Sequence, residues 1–234
     1  MNNVLGIITA RSGSKGIKNK NILFFNNKPL IYYTINFAKK LPFLNKLILS
    51  TDSKKYLKIA KKYHNFENNL RPKYLSGDNV KTIDVIKYEF KRLQKIGIHY
   101  DIIIIFQPVC PFRKKEIFVK AYNLIAKKKT DSVITLKKVK EHPLKMYKFN
   151  NKKIKHYLHD NNEKKSFFPR QRLKKLYLRQ GSMYMFKSDL LKKNQFISSK
   201  TIGLEVSDRY ALNLDTNEDL ILAKNYFSKK ENKL

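Results

Sequence analysis

The chain has 234 residues and carries 51 Lys and Arg against 18 Asp and Glu, a formal charge of +33. That length fits one domain over residues 1–234 with one sizeable core; no apolar run approaches the ~20 residues of a membrane span. The single cysteine, Cys110, excludes an intramolecular disulfide framework and a multi-cysteine metal site.

The N-terminus shows no charged leader followed by an apolar stretch, so no secretory signal is expected and the expected location is cytoplasmic. A charge this high suggests a nucleic-acid-binding protein. The lysines, however, run from Lys15 to Lys233 without clustering, and Lys, Asn, Ile, Tyr and Phe, all abundant here, share A/T-rich codons. Solvated lysine faces account for the surplus, and no specific nucleic-acid partner is expected. The arginines are distributed differently. Arg11, Arg71, Arg113, Arg170, Arg172, Arg179 and Arg209 fall in loops or beside motif-like segments, and only Arg92 in an ordinary charged helix. A planar bidentate fork suits phosphate, carboxylate or a base edge.

In chain order, Val4 to Ile8 reads as a buried parallel strand. It enters a loop with Arg11, Ser12, Gly13, Ser14, Lys15, Gly16 and Lys20. Glycines let backbone N–H groups close around an anion, and the cations neutralise it, so the loop reads as a phosphate cradle at the carboxyl end of the first strand. It is neither a Walker A sequence nor a complete dinucleotide fingerprint. Pro29 opens a helix over 30–40, residues 45–50 form a strand, and Thr51-Asp52-Ser53 caps a helix over 54–63. A loop through Arg71-Pro72 and Ser76-Gly77-Asp78 leads to a helix capped by Thr82 and ending near Gln94. Ile102 to Phe106 is a central strand, 115–127 a helix and 132–136 a strand.

Residues 150–175 break this rhythm; their polarity makes them poor core, either a disordered loop or an arm packed on a second subunit. Short strands are expected at 182–186, 202–206 and 210–214, then a helix from a Thr216 cap to Phe227 and a frayed end from Ser228. The alternation predicts an α/β fold, a mainly parallel twisted sheet with helices on both faces.

Several segments carry recognisable chemistry. Arg71 before Pro72 is held extended, which projects its fork. The prolines of Gln107-Pro108-Val109-Cys110-Pro111-Phe112-Arg113 stiffen a strand-end turn and fix the Gln107 amide, which both donates and accepts. Cys110 reads as a small packed residue and not a nucleophile. On a strand, Asn213 and Asp215 would face the same way and could share Mg²⁺; Asn213 brings no charge, so Asp215 is the main candidate. Asp215 also reads simply as the residue leading into the Thr216 cap. His142 before Pro143 reads as structural, and His156 with His159 lacks a third ligand.

The segments Ala10 to Gly16 with Lys20-Asn21, Leu70 to Asp78 with Thr82, Gln107 to Arg113, Glu141 to Lys145, Pro169 to Gln171 with Gln180 to Tyr184, and Leu212 to Thr216 resemble, in order, the motifs of the acylneuraminate cytidylyltransferases. The resemblance spans roughly Val4 to Phe227. It implies a Rossmann-like nucleotidyltransferase fold with a dimerisation arm at about 140–180. It also implies transfer of CMP from CTP to a nine-carbon α-keto acid sugar (N-acetylneuraminate, legionaminate or pseudaminate), with release of pyrophosphate. Arg11, Lys15 and Lys20 would be catalytic, and Arg11, Gly13, Ser14, Lys20, Asn21, Arg71 and Asp78 would hold the nucleotide. Gln107, Lys145, Arg170 and Tyr184 would hold the sugar, with Lys145 and Arg170 reaching across a homodimer, and Asp215 with Asn213 would hold Mg²⁺. Departures occur at Gln180 and Ser182, where Asn and Ala are usual, at Cys110, where a hydroxyl is usual, and in the weakly apolar Phe66 to Asn69. The related enzymes that activate the eight-carbon sugar 3-deoxy-manno-octulosonate are the alternative reading.

Overall fold

The computed structural model describes residues 2–13, 17–158 and 166–231. In chain order the elements are β1 (Val4–Thr9), β2 (Phe24–Phe25), β3 (Lys28–Pro29), α1 (Leu30–Ala38), β4 (Lys46–Ser50), α2 (Lys54–Lys61), α3 (Thr82–Gln94), β5 (Ile102–Phe106), α4 (Lys115–Ala126), β6 (Ser132–Lys138), β7 (Tyr147–Asn150), β8 (Lys153–His156), β9 (Tyr177–Lys187), β10 (Ile202–Glu205) and α5 (Asn217–Glu231). Six strands form one sheet in the order β10-β6-β9-β5-β1-β4. β1 pairs in parallel with β4 and β5, and β10 with β6; β9 runs antiparallel between β5 and β6. The mainly parallel sheet is therefore present, with one reversed strand.

Burial on both faces explains the unbroken Ile-Ile-Ile-Ile-Phe of β5. Alternate residues feed two cores. Val4, Ile8, Ile104, Phe106, Met183 and Met185 pack with Ile31, Ile35, Leu57 and Phe118 of α1, α2 and α4. Leu5, Ile7, Ile103 and Ile105 pack on the other face with Ile86, Phe90 and Leu93 of α3. A third cluster joins Phe25, Phe112, Leu212, Leu214 and Ala223, docking α5 on the small β2–β3 hairpin. That hairpin turns on Asn26 and Asn27, both at positive φ (44° and 60°), which asparagine tolerates and a tight primed turn requires.

Local expectations are corrected in three places. Residues 210–214 form no strand: Leu212 and Leu214 alternate as a strand would, but they bury in the third cluster, and Leu214 N–H bonds to Val109 O at 2.8 Å. Thr82 is the first residue of α3, not its cap; Lys81 occupies that position without a side-chain bond. α5 continues through Ser228 to Glu231, and only 232–234 lie outside the described residues. The segment 150–175, expected as a disordered loop or an arm, contains β8, which pairs with β7 as an exposed hairpin, while 159–165 lie outside the described residues. The Thr216 cap is present: Asp219 N–H donates to Thr216 Oγ1 at 3.3 Å, and Thr216 N–H donates back to Asp219 Oδ2 at 2.8 Å, a reciprocal capping box. Ser53 likewise caps α2, accepting from Tyr56 N–H.

Candidate active site

The carboxyl ends of β1 and β5 and the loop before α3 open into a cleft of about 510 Å³. Open α/β sheets bind ligands at this edge because the loops diverge there. The first loop is pinned from two sides. Ser12 donates through its N–H (2.9 Å) and hydroxyl (2.8 Å) to Asp52 at the end of β4. Asn21, itself buried, donates from Nδ2 to Arg11 O at 3.0 Å and so ties the far end of the loop back to its start. Asn19, in the left-handed region at φ 55°, turns the chain into a short 3₁₀ turn over Lys20–Ile22 and thereby sets Lys20.

Arg11, Lys20, Asn21, Arg71, Asp78, Gln107, Asn213 and Asp215 all line this cleft. The structure thus brings together eight residues read as site candidates from loops far apart in sequence. Two cations meet carboxylates there: Arg11 pairs with Asp78, and Lys20 Nζ lies 2.6 Å from Asp215 Oδ1. Arg71 differs. Its backbone N–H bonds to Thr51 O at 2.8 Å, yet its side-chain Nε and Nη2 are buried without a hydrogen-bond partner. Burial pushes its pKa down, Asp52 and Glu89 oppose the shift, and Arg11 adds to it. A buried guanidinium with idle donors is costly unless a ligand completes it.

Gln107 reaches the cleft from a turn held by Arg113. That guanidinium donates to Gln107 O (2.7 Å), Ser182 O (3.2 Å) and Thr34 Oγ1 (3.0 Å), and lies over the rings of Phe106 and Phe37. Burial pushes its pKa down to about 10, which leaves it charged at neutral pH. The sequence marked Arg113 as an arginine among lysines, but its role as a clamp on two carbonyls depends on contacts with residues far along the chain. Beneath the turn, Cys110 Sγ lies 3.0 Å from Asn213 Oδ1, which also accepts from Gln180 Nε2 at 3.1 Å. Two positions that depart from the family motifs, Cys110 and Gln180, therefore meet at the Asn213 oxygen in one hydrogen-bonded group. Burial pushes the Cys110 thiol up to about 11, with Arg113 opposing, so it is a protonated packing residue at neutral pH.

Other candidates lie elsewhere. Ser14 and Lys15 fall outside the described residues, and Gly13 does not line the cleft. Tyr184 does not line it either; it is buried in the second core against Phe196, with Arg179 over its ring. Lys145 is exposed on a 3₁₀ turn whose start His142 caps by accepting Leu144 N–H, a structural role for that histidine. Of Arg170 only the backbone is described, in a 3₁₀ turn over Arg170–Arg172. Residues not singled out beforehand, among them Thr9, Val80 and Val85, complete the walls.

For a divalent metal, no group of three or more His, Cys, Asp or Glu occurs among the described residues. Mg²⁺ needs only one or two protein carboxylates when substrate phosphates and water supply the rest. Asp215, with its side chain about half exposed at the cleft, fits that requirement. Asn213 fits poorly: it is not on a strand with Asp215, and its oxygen already accepts two bonds.

The chain is similar to several known proteins. The chain is 30% identical over 94% of its length to the post-translational flagellin modification protein B of Campylobacter coli, covering 92% of that protein. It is 32% identical over 87% of its length to a Helicobacter pylori protein named for pseudaminic acid cytidylyltransferase and UDP-2,4-diacetamido-2,4,6-trideoxy-beta-L-altropyranose hydrolase, of which it spans only 38%. Among solved structures, a CMP:2-keto-3-deoxy-manno-octonic acid synthetase complexed with CTP superposes with a TM-score of 0.69 at 14% identity, covering 97% of this chain and 99% of that one, a likeness of fold. The sequence matches the family model described as cytidylyltransferase over residues 5–231, and the chain belongs to that family of nucleotidyltransferases.

Proposed function

We propose that this cytidylyltransferase transfers CMP from CTP to the anomeric hydroxyl of a nine-carbon α-keto acid sugar, releasing pyrophosphate. The observation that carries the reading is the buried Arg71 guanidinium with unused donors, in one cleft with Arg11, Lys20 and Asn21. A planar fork at the wall suits a base edge, and the two other cations suit a triphosphate. In-line attack at the α-phosphorus asks the protein for alignment and charge neutralisation more than covalent chemistry. Arg11 and Lys20 exchange their carboxylate partners for phosphate oxygens and stabilise charge moving onto the leaving pyrophosphate. Asp215, released from Lys20, is then available to hold Mg²⁺, which when bound supplies Lewis-acid neutralisation of the phosphates. Gln107, at the opposite wall, orients the sugar.

The nine-carbon class is favoured by the ordered motif resemblance and by the name of the Helicobacter relative. The active form is a homodimer joined through the β7–β8 hairpin. Phe149 and Ile154 face each other across it and are 75% and 66% exposed, and an isolated two-stranded hairpin is marginal in water. In that dimer Lys145 and Arg170 complete the partner's sugar site. No helix among the described residues is long and apolar enough to cross a membrane, and the cytoplasm, where CTP is made, is the proposed location. The test is ³¹P NMR of the purified protein with CTP, Mg²⁺ and, in turn, N-acetylneuraminate, legionaminate, pseudaminate and 3-deoxy-manno-octulosonate. Sugar-dependent pyrophosphate with at least one nine-carbon acid supports the proposal; turnover of the eight-carbon sugar alone refutes it.

A further inference from the structure

We infer that Gly181 is a positioning residue for the Gln107 amide: its bare α-carbon is the seat against which that side chain rests in the cleft. A Cβ built on Gly181 would lie 2.1 Å from Gln107 Oε1 and 3.2 Å from its Cδ. Conformational freedom does not explain this glycine, because among the described residues only Gly97 has a glycine φ in the left-handed region. Close approach does. The glycine sits at an irregularity of β9: Thr135 of β6 is opposite Gln180, while the adjacent Ile134 is opposite Tyr184, so Gly181 to Met183 bulge from the ladder. Bulges beside a site re-aim side chains. Both main chains at the contact are fixed by one group, since Arg113 holds Gln107 O and Ser182 O together.

This arrangement separates fold from function. The close clash meets only the flexible end of Gln107; the next neighbour, Cys110 Sγ, stands at an ordinary 3.8 Å. An alanine at 181 therefore leaves the framework intact and moves the amide. The functional consequence rests on the reading above that Gln107 orients the sugar.

The experiment compares wild type with Gly181→Ala, Gln107→Ala and the double variant. It measures thermal melting, CTP and sugar kinetics, and the Gln107 side-chain NH₂ resonance by ¹H–¹⁵N NMR. Gly181→Ala is expected to melt like wild type, shift that resonance, keep KM for CTP within about two-fold and lower kcat/KM for the sugar by about 100-fold, the order of loss for a misplaced positioning group. The double variant is expected to match Gln107→Ala alone, and Gly181→Ala with Gln107→Asn to recover part of the loss because the shorter side chain clears the new methyl. An unmoved Gln107 resonance, a loss of folding, or additive losses in the double variant would overturn the inference. If the resonance moves but Gln107→Ala leaves the sugar kinetics unchanged, the positioning stands and the sugar role of Gln107 is the part refuted.

Discussion

Lys20 Nζ lies 2.6 Å from Asp215 Oδ1, although 195 residues separate them. The pair joins the first loop to the segment leading into α5 within the cleft. Lys20→Ala is expected to lower kcat by about 10²–10³-fold, the range for removing one preorganised contact to developing charge. The melting temperature should barely change, because a partly exposed ion pair is worth at most about 1 kcal/mol. Steady-state kinetics and a thermal melt check both; near-normal kcat would remove Lys20 from the mechanism.

Arg71 offers the reverse trade between stability and binding. Arg71→Met keeps the volume and removes a buried charge whose Nε and Nη2 lack partners in the free protein. The variant should melt no lower than wild type while its CTP dissociation constant rises about 10–100-fold, the equivalent of one or two charge-assisted hydrogen bonds. Calorimetric titration beside a melt decides; unchanged CTP affinity would take Arg71 out of the nucleotide site.

Cys110 is fully buried and its thiol is raised to about 11. Between about 9 and 11 the folded chain keeps a proton that the unfolded chain has released. Its contribution to stability is therefore fully present below about 9 and is lost as pH rises through that window. Cys110→Ser should flatten this slope relative to wild type while retaining activity, since a hydroxyl can still donate to Asn213. Native protein at pH 8 should resist iodoacetamide and react fully once denatured; rapid native labelling would contradict the buried thiol.

Asn213 is a poor Mg²⁺ ligand, because its oxygen already accepts from Cys110 and Gln180. Both donors also suit a carboxylate, so Asn213→Asp should fold. It should leave the Mg²⁺ concentration giving half-maximal turnover, and Mn²⁺ binding in the presence of CTP as read by EPR, within about two-fold of wild type. A several-fold lower Mg²⁺ requirement would place residue 213 within the metal's reach and contradict this.

The proposed dimer makes its own prediction. Phe149→Asp puts a charge on the exposed apolar face of the β7–β8 hairpin and should shift the molecular mass by light scattering from dimer to monomer. Mixing inactive Lys20→Ala with inactive Arg170→Ala chains should restore activity in hybrids that carry one intact shared site. Verified hybrids without activity would exclude Arg170 from a site across the interface.

The sequence exposes this protein unevenly, for physical reasons. Ile102–Phe106 was legible to the residue because a strand buried on both faces must be apolar throughout. The eleven residues of β9 were legible only from Ser182, since Tyr177 to Arg179 are exposed, and its reversed direction follows from long-range pairing that no local pattern records. Leu212 and Leu214 alternate like a strand but bury against Phe25, Phe112 and Ala223, because period-two burial does not require a ladder. At the site, the cations and amides at strand ends were legible by type. Their partners were not: Asp78 on Arg11, Asp215 on Lys20, Gln180 on Asn213 and Gly181 beneath Gln107 are contacts between distant segments.

The central claim is that the cleft after β1 holds the triphosphate of CTP, and a crystal structure with CTP and Mg²⁺ tests it most directly. The account predicts phosphate oxygens bonded to Arg11, Lys20 and Asn21, the Lys20–Asp215 contact opened, and cytosine against Arg71. Nucleotide bound elsewhere on the basic surface, or a cleft left with both ion pairs closed at saturating CTP, would contradict it.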